Sequence, residues 1–151
     1  MKKSAGILPY KKVNEELYVY LEHPGGPYYQ DVEKYSICKG EYSNEKALEA
    51  AVREFKEESG FDLKNNNFKY LGSHKVSNKK LAIIFITKVD LDPTKMKSNT
   101  FKKDFGDGIL KEFPEMDKAN WFKIEEAKKY IVESQIYFIN KIDYLKKKGE
   151  I

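Results

Sequence analysis

The sequence predicts a mixed α/β (α+β) fold, and three observations carry that prediction. Short segments rich in β-branched and aromatic residues alternate with Gly, Pro and Asn turns. One long helical pattern separates two groups of them, and a second helical pattern fills most of the chain after Ile124. Elements in the order strands, helix, strands, helix pack as layers around one core. A length of 151 residues suits one domain over 1–151, and 40% hydrophobic residues argue for a sizeable core and against wholesale disorder.

The first expected strands are Gly6–Tyr10 and Leu17–Leu21, dense in Ile, Leu, Val and Tyr. After the turn His23-Pro24-Gly25-Gly26-Pro27, Tyr35–Cys38 is a third. The helix runs from about Asn44 to Ser59, with Ser43 or Asn44 as N-cap and Gly60 as its stop. Phe68–Val76 and Lys80–Val89 flank the next turn, and Asn120–Phe122 closes the strand set. The last helix is expected to continue from Ile124, with Phe138, Ile139, Ile142 and Leu145 on its apolar face.

Twenty-eight basic residues against 24 acidic ones leave +4, which fits a phosphate-bearing ligand as well as mere solubility and does not announce a nucleic-acid binder. The single cysteine, Cys38, excludes an intrachain disulfide framework and a multi-cysteine zinc site, in keeping with a reducing cytoplasm. The basic start is followed by too short an apolar run for a signal peptide, and the longest apolar run, Leu81 to Ile86, is far short of a membrane span. A cytoplasmic protein without a membrane partner is expected. Of the basic residues 27 are lysines; the one arginine is Arg53.

Chemistry concentrates on the first helix. At roughly 100° per residue, Leu48, Ala51, Val52 and Phe55 share a sector expected to face the core. Glu54, Glu57 and Glu58 share a second with Ala47 and Ala50, and Lys46, Glu49, Arg53 and Lys56 a third that reads as solvated. Carboxylates at i, i+3 and i+4 repel by roughly 0.2–0.5 kcal/mol per pair, a penalty that a divalent cation removes. Oxygen donors suit Mg²⁺ or Mn²⁺, and the alanines leave room for close approach. Arg53, one turn before Glu57, can orient that carboxylate with its planar fork. On spacing alone a solvated acidic face paired with lysines competes equally. From Glu41 to Glu58 six acids face three bases, a net −3 that leaves +7 on the rest of the chain, as a metal–phosphate site would want.

The residues Lys39-Gly40-Glu41-Tyr42-Ser43-Asn44-Glu45, followed by Arg53-Glu54-Phe55-Lys56-Glu57-Glu58-Ser59-Gly60-Phe61, resemble the signature of the Nudix (MutT-type) hydrolases, G-x5-E-x7-R-E-U-x-E-E-x-G-U, where U is bulky and apolar. From Glu45 onward every defined position matches; Gly40 precedes Glu45 by one residue fewer than the pattern has. The start Lys3-Ser4-Ala5-Gly6, the His23–Pro27 turn, Ser98-Asn99-Thr100-Phe101 and Phe113-Pro114-Glu115 through Trp121-Phe122 are similar to a small bacterial subgroup of the family. The resemblance implies an α/β/α sandwich around a mixed β-sheet and hydrolysis of a nucleoside diphosphate linked to another group. It further implies Mg²⁺ or Mn²⁺ on Glu54, Glu57, Glu58 and a carbonyl near Lys39 or Gly40, with Arg53 orienting a carboxylate and Glu45 assisting. Water attacks phosphorus in line while the cations stabilise developing charge. The general base varies across the family; Asp107, Glu112 and Glu115 all stand open, as does a motif glutamate.

Nucleoside triphosphates and dinucleoside polyphosphates remain as substrates. Residues 62–92 hold no proline, the mark of ADP-ribose hydrolases, and positions 75–78, Lys-Val-Ser-Asn, lack the tyrosine of dinucleoside-polyphosphate hydrolases. The alternatives are a Nudix-fold domain that senses a nucleotide without hydrolysis, and an RNA 5′-end pyrophosphohydrolase drawing on the +7 surround. Substrate-binding candidates are Lys39 and Glu41 beside the metal loop, His23 at a phosphate or ribose, and Tyr28, with Tyr29, against a base. Each has a plainer reading: a surface lysine, a solvent-exposed loop histidine, ordinary tyrosine packing. Cys38 reads best as a small buried hydrophobe.

Overall fold

The structure is a computed structural model that describes residues 1–151. The chain forms β1 (Lys2–Val13), β2 (Glu16–Pro24), β3 (Cys38–Glu41), α1 (Ala47–Ser59), β4 (Lys69–Ser77), β5 (Lys80–Lys88), β6 (Thr100–Asp104), β7 (Leu110–Pro114), β8 (Met116–Lys123), α2 (Ile124–Tyr130) and α3 (Ile136–Lys147). The principal sheet is mixed, in the order β4-β5-β1-β2-β8, with β3 also on β1.

Strand β1 organises this sheet. One edge runs parallel to β5 from Lys2 to Tyr10. The other edge is shared: Ser4–Ile7 pair antiparallel with β3, and Tyr10–Val13 pair antiparallel with β2. Between the two ladders stand Leu8 and Pro9, and proline, lacking an N–H, suits a place where no ladder bond is donated. The sheet therefore forks, β2 and β3 leaving β1 in succession. At the β3 branch the backbones press together, since a Cβ on Gly6 would stand 2.3 Å from the Cys38 carbonyl oxygen.

Alternation along the strands sends apolar side chains to both faces, as expected for a sheet covered twice. Leu8, Leu17, Val19, Leu21, Ala82, Ile84 and Ile86 pack with Phe138, Ile139, Ile142 and Leu145 of α3. Ala5, Ile7, Tyr20 and Cys38 meet Ala50, Ala51 and Phe55 of α1 on the other face. This is the α/β/α arrangement the motif implies.

Four departures from the sequence reading have physical causes. The N-cap of α1 is Lys46 rather than Ser43 or Asn44. Asn44 instead takes a left-handed conformation, φ 60°, which an asparagine tolerates and which closes the shortened loop after Gly40. The buried face of α1 is also rotated from the expected sector. Ala50, Ala51, Phe55, Glu58 and Ser59 are buried, while Leu48 is exposed, because small side chains are what the sheet admits at closest approach. The third expected strand enters the sheet at Cys38. Residues Tyr35 and Ser36 make only isolated bridges, Tyr35 to Ile131 and Ser36 to Glu22. That bridge is also why the C-terminal helix is broken. The chain leaves α2 at Ile131 to exchange backbone bonds with Tyr35, Tyr35 N–H to the Tyr130 carbonyl at 2.8 Å and Val132 N–H to the Tyr35 carbonyl at 2.9 Å. Beyond these, Thr100–Asp104 and Leu110–Pro114 pair as a separate two-stranded hairpin, β6–β7.

Candidate functional site

The site is built where α1 crosses β3. Gly60 ends the helix with φ 82° and returns its N–H to the Lys56 carbonyl at 2.8 Å. Other carbonyls of the last turn are met by the chain entering β6: Lys97 N–H binds the Ser59 carbonyl at 2.9 Å, and Asn99 N–H binds the Glu57 carbonyl at 2.7 Å. The Asn99 carbonyl accepts from Glu115 N–H at 2.8 Å, and the Glu115 carbonyl from Gly25 N–H at 2.8 Å. A continuous line of backbone bonds thus leads from the carboxylate-bearing turn of α1 across Glu115 to the His23–Pro27 turn.

Arg53 lies at the centre of the acidic group. Its Nη2 donates to Glu45 Oε1 at 2.6 Å with Nε at 3.1 Å, and its Nη1 reaches Glu54 Oε1 at 2.8 Å and Glu57 Oε1 at 3.2 Å. One guanidinium therefore grips three carboxylates, where the spacing alone had offered it Glu57. Only a planar, multi-donor group can do this. Glu54 and Glu57 are both held by Oε1, which leaves Oε2 of each outside the grip. In this arrangement no three His, Cys, Asp or Glu side chains converge tightly enough to hold an ion.

Glu54 is packed against backbone. A Cβ on Gly40 would collide with the Glu54 carboxylate, so any larger residue there must displace that side chain. Burial raises the Glu54 pKa, with Glu57 and Glu115 adding to the rise and Arg53 opposing it. Glu58 is only 4% exposed; burial, with repulsion from Glu22, Glu54 and Glu115, pushes its carboxyl up to about 9. Glu115 is also raised, by partial burial and by Glu57.

The remaining candidates separate. Lys39 is half-buried, and burial and Lys80 lower its pKa while Glu58 and Glu41 oppose the fall. Glu41 points to Lys80 at 3.4 Å and Lys2 at 3.8 Å. A cleft of about 770 Å³, lined among others by Lys2, Lys3, Tyr42, Glu45 and Arg53, opens beside it. Tyr28 is exposed, with Lys103 Nζ 5.3 Å from its ring centroid. His23 does not lie on a solvent-exposed loop: it is near the end of β2. It is 2% exposed, and its ring nitrogens meet Asp117 Oδ1 at 2.8 Å and the Val32 carbonyl at 2.7 Å. Of the three acids proposed outside the motif, Asp107 binds Ile109 N–H in the hairpin turn and Glu112 accepts from the Thr100 hydroxyl; Glu115 is the one that faces the motif carboxylates. Cys38 is buried and its pKa raised, foremost by burial and then by Glu22 and Glu58.

Sequence reasoning missed Glu22. It is wholly buried, its Oε2 accepts from the Tyr20 hydroxyl at 2.5 Å, and its Oε1 has no partner. The available signal was an acid directly after the apolar run Leu17-Tyr18-Val19-Tyr20-Leu21, in step with Tyr20 on the face toward α1.

A family model for the NUDIX domain matches residues 3–142. The chain belongs to the Nudix family. Among solved structures it is similar to an Ap4A hydrolase of C. elegans in a binary complex, at 18% identity and TM-score 0.65 over 96% of this chain and 97% of that one. The NUDIX domain of Shewanella oneidensis NrtR complexed with ADP ribose aligns at 7% identity and TM-score 0.66, over 94% of this chain and 86% of that one. A mutT/nudix family protein of Listeria innocua aligns at 13% identity and TM-score 0.65, over 99% and 96%. None of the curated proteins matches the sequence. These identities speak for a shared fold. No helix is long and apolar enough to cross a membrane.

Proposed function

We propose that this chain is a divalent-metal-dependent hydrolase of phosphoanhydride bonds in nucleoside diphosphate-linked substrates, acting on nucleoside triphosphates or dinucleoside polyphosphates. The observation that carries the reading is the Arg53 grip on Glu45, Glu54 and Glu57, beside a glycine backbone that a Cβ would drive into Glu54. An arginine that holds one oxygen each of Glu54 and Glu57 and spares the other presents hard oxygen donors in fixed orientation.

The donor chemistry suits Mg²⁺ or Mn²⁺, and binding would have to draw the carboxylates together, since no three of them converge here. The donors on α1 are all carboxylates, and a backbone turn at Gly40 lies against one of them. Glu54, Glu57, Glu58 and a carbonyl at Lys39 or Gly40 would hold the ion, which supplies phosphate charge neutralisation and a more acidic water. Glu45 acts through Arg53. Lys39, half-buried beside Glu58, neutralises a substrate phosphate. Glu115, with its proton affinity raised and its backbone tied to the Glu57 carbonyl through Asn99, is the base that takes the proton from the attacking water. Tyr28 offers an exposed ring to a base.

The test is a substrate panel of nucleoside triphosphates, dinucleoside polyphosphates and ADP-ribose with Mg²⁺ and with Mn²⁺, reading phosphate and pyrophosphate release, run beside Glu57→Gln and Glu58→Gln. Turnover that both variants lose supports the proposal. Nucleotide binding by calorimetry with no product under either metal would show a sensing domain instead.

A further inference from the structure

The acidic group has a floor that the motif does not supply. Tyr20 and Glu22 lie on the face of β2 turned toward α1, and the Tyr20 ring packs on Phe55 at 5.8 Å between centroids. Glu58 follows Phe55 by three residues on that helix and is itself buried. Cys38 and Gly40 share the corresponding face of β3, with Gly40 against Glu54. Glu22 is therefore enclosed between the diverging strands and the turn that carries Glu58.

A buried carboxylate is ordinarily satisfied by a base or by several donors. Glu22 has the Tyr20 hydroxyl on Oε2 and the buried Cys38 thiol beside it as a weak donor, and neither brings a positive charge. Its Oε1 is an orphan, wholly out of contact with solvent. The other buried side-chain orphan, the Ser4 hydroxyl, is neutral and needs no counter-charge. Two buried carboxylates, Glu22 and Glu58, with the half-buried Lys39 beside Glu58 to oppose their charge, are explained if a cation belongs there.

Resting on the metal reading above, we propose that Glu22 is a further carboxylate of the ion site, with Oε1 supplying an oxygen donor from the sheet side, directly or through one water of the ion's shell. The Tyr20 hydroxyl orients it by holding Oε2, as outer partners of metal ligands do. The donor set then comes from both layers of the fold, helix above and strand below.

The test uses the full-length, metal-free protein titrated with Mn²⁺ alone, free Mn²⁺ being read by its paramagnetic resonance signal, for the unsubstituted chain and Glu22→Gln. The expected result is Mn²⁺ affinity weakened ten-fold or more in Glu22→Gln, with a smaller Mn²⁺-induced rise in melting temperature and an unchanged near-ultraviolet circular dichroism spectrum. Equal affinity in the two proteins overturns this inference alone. No Mn²⁺ binding by the unsubstituted chain overturns the metal reading and this inference with it. Should Glu22→Gln not fold, Glu22→Asp decides, because it keeps the charge but withdraws the oxygen by one methylene; unchanged affinity there also overturns it.

Discussion

Gly40 and Glu54 are in such close contact that a methyl group cannot be placed between them: an added Cβ would stand 2.1 Å from Glu54 Oε2 and 2.5 Å from Oε1. Gly40→Ala must therefore push the carboxylate aside or move β3. Misplacement of a reacting group by about 1 Å costs on the order of 10²-fold in rate, and a loss of that size in kcat, with the far-ultraviolet spectrum kept, is the expected outcome.

Arg53→Lys keeps the charge and loses the fork. A lysine ammonium cannot span Glu45, Glu54 and Glu57 with the spacing that Nε, Nη1 and Nη2 give. Removing such an orienting partner typically costs about 10–100-fold in metal affinity or activity. Titration with Mn²⁺ and a kcat measurement check it; an unimpaired variant would mean that charge alone mattered.

Glu115→Gln should lower kcat by about 10²–10⁴-fold, the usual range for a positioned general base, with KM little changed. Asp107→Asn and Glu112→Gln should leave kcat near its original value, since both carboxylates are engaged within the hairpin. Equal effects from all three would remove Glu115 from the reaction.

The metal-free protein should lose stability as pH rises. Burial lifts Glu22 to about 7 and Glu58 to about 9, so both bind protons more tightly folded than unfolded. Stability therefore declines once pH passes the ordinary carboxylate range and continues to fall until Glu58 is ionised, near pH 9. Urea denaturation in a chelator between pH 5 and pH 9 measures the slope, and saturating Mn²⁺ should flatten it.

The motif helix was legible because its information is local. Gly60 as a left-handed stop and the i, i+3, i+4 carboxylates need no knowledge of distant residues. What escaped the sequence depended on distant partners. Leu48 is exposed although it shares a helical sector with Phe55, because the sheet meets α1 along Ala50 and Ala51. The hairpin strand Thr100-Phe101-Lys102-Lys103-Asp104 carries one apolar residue, and its counterpart Phe113 lies across the turn. The break at Ile131 follows from Tyr35, 96 residues earlier in the chain, and Glu22 acquires its meaning only when α1 is laid over it.

The turn between β6 and β7 closes on itself: Asp104 Oδ1 accepts from Gly106 N–H at 2.8 Å and Gly108 N–H at 3.1 Å, and neither glycine has an atom within 4 Å of where a Cβ would stand. Glu115 is anchored at the hairpin's opposite end by Asn99 and Gly25. Chain length at the tip is therefore uncoupled from the geometry of the acidic group, so residues can be gained or lost there without re-aiming Glu115. That makes the tip a natural place for divergence between relatives and a practical one for inserting a label.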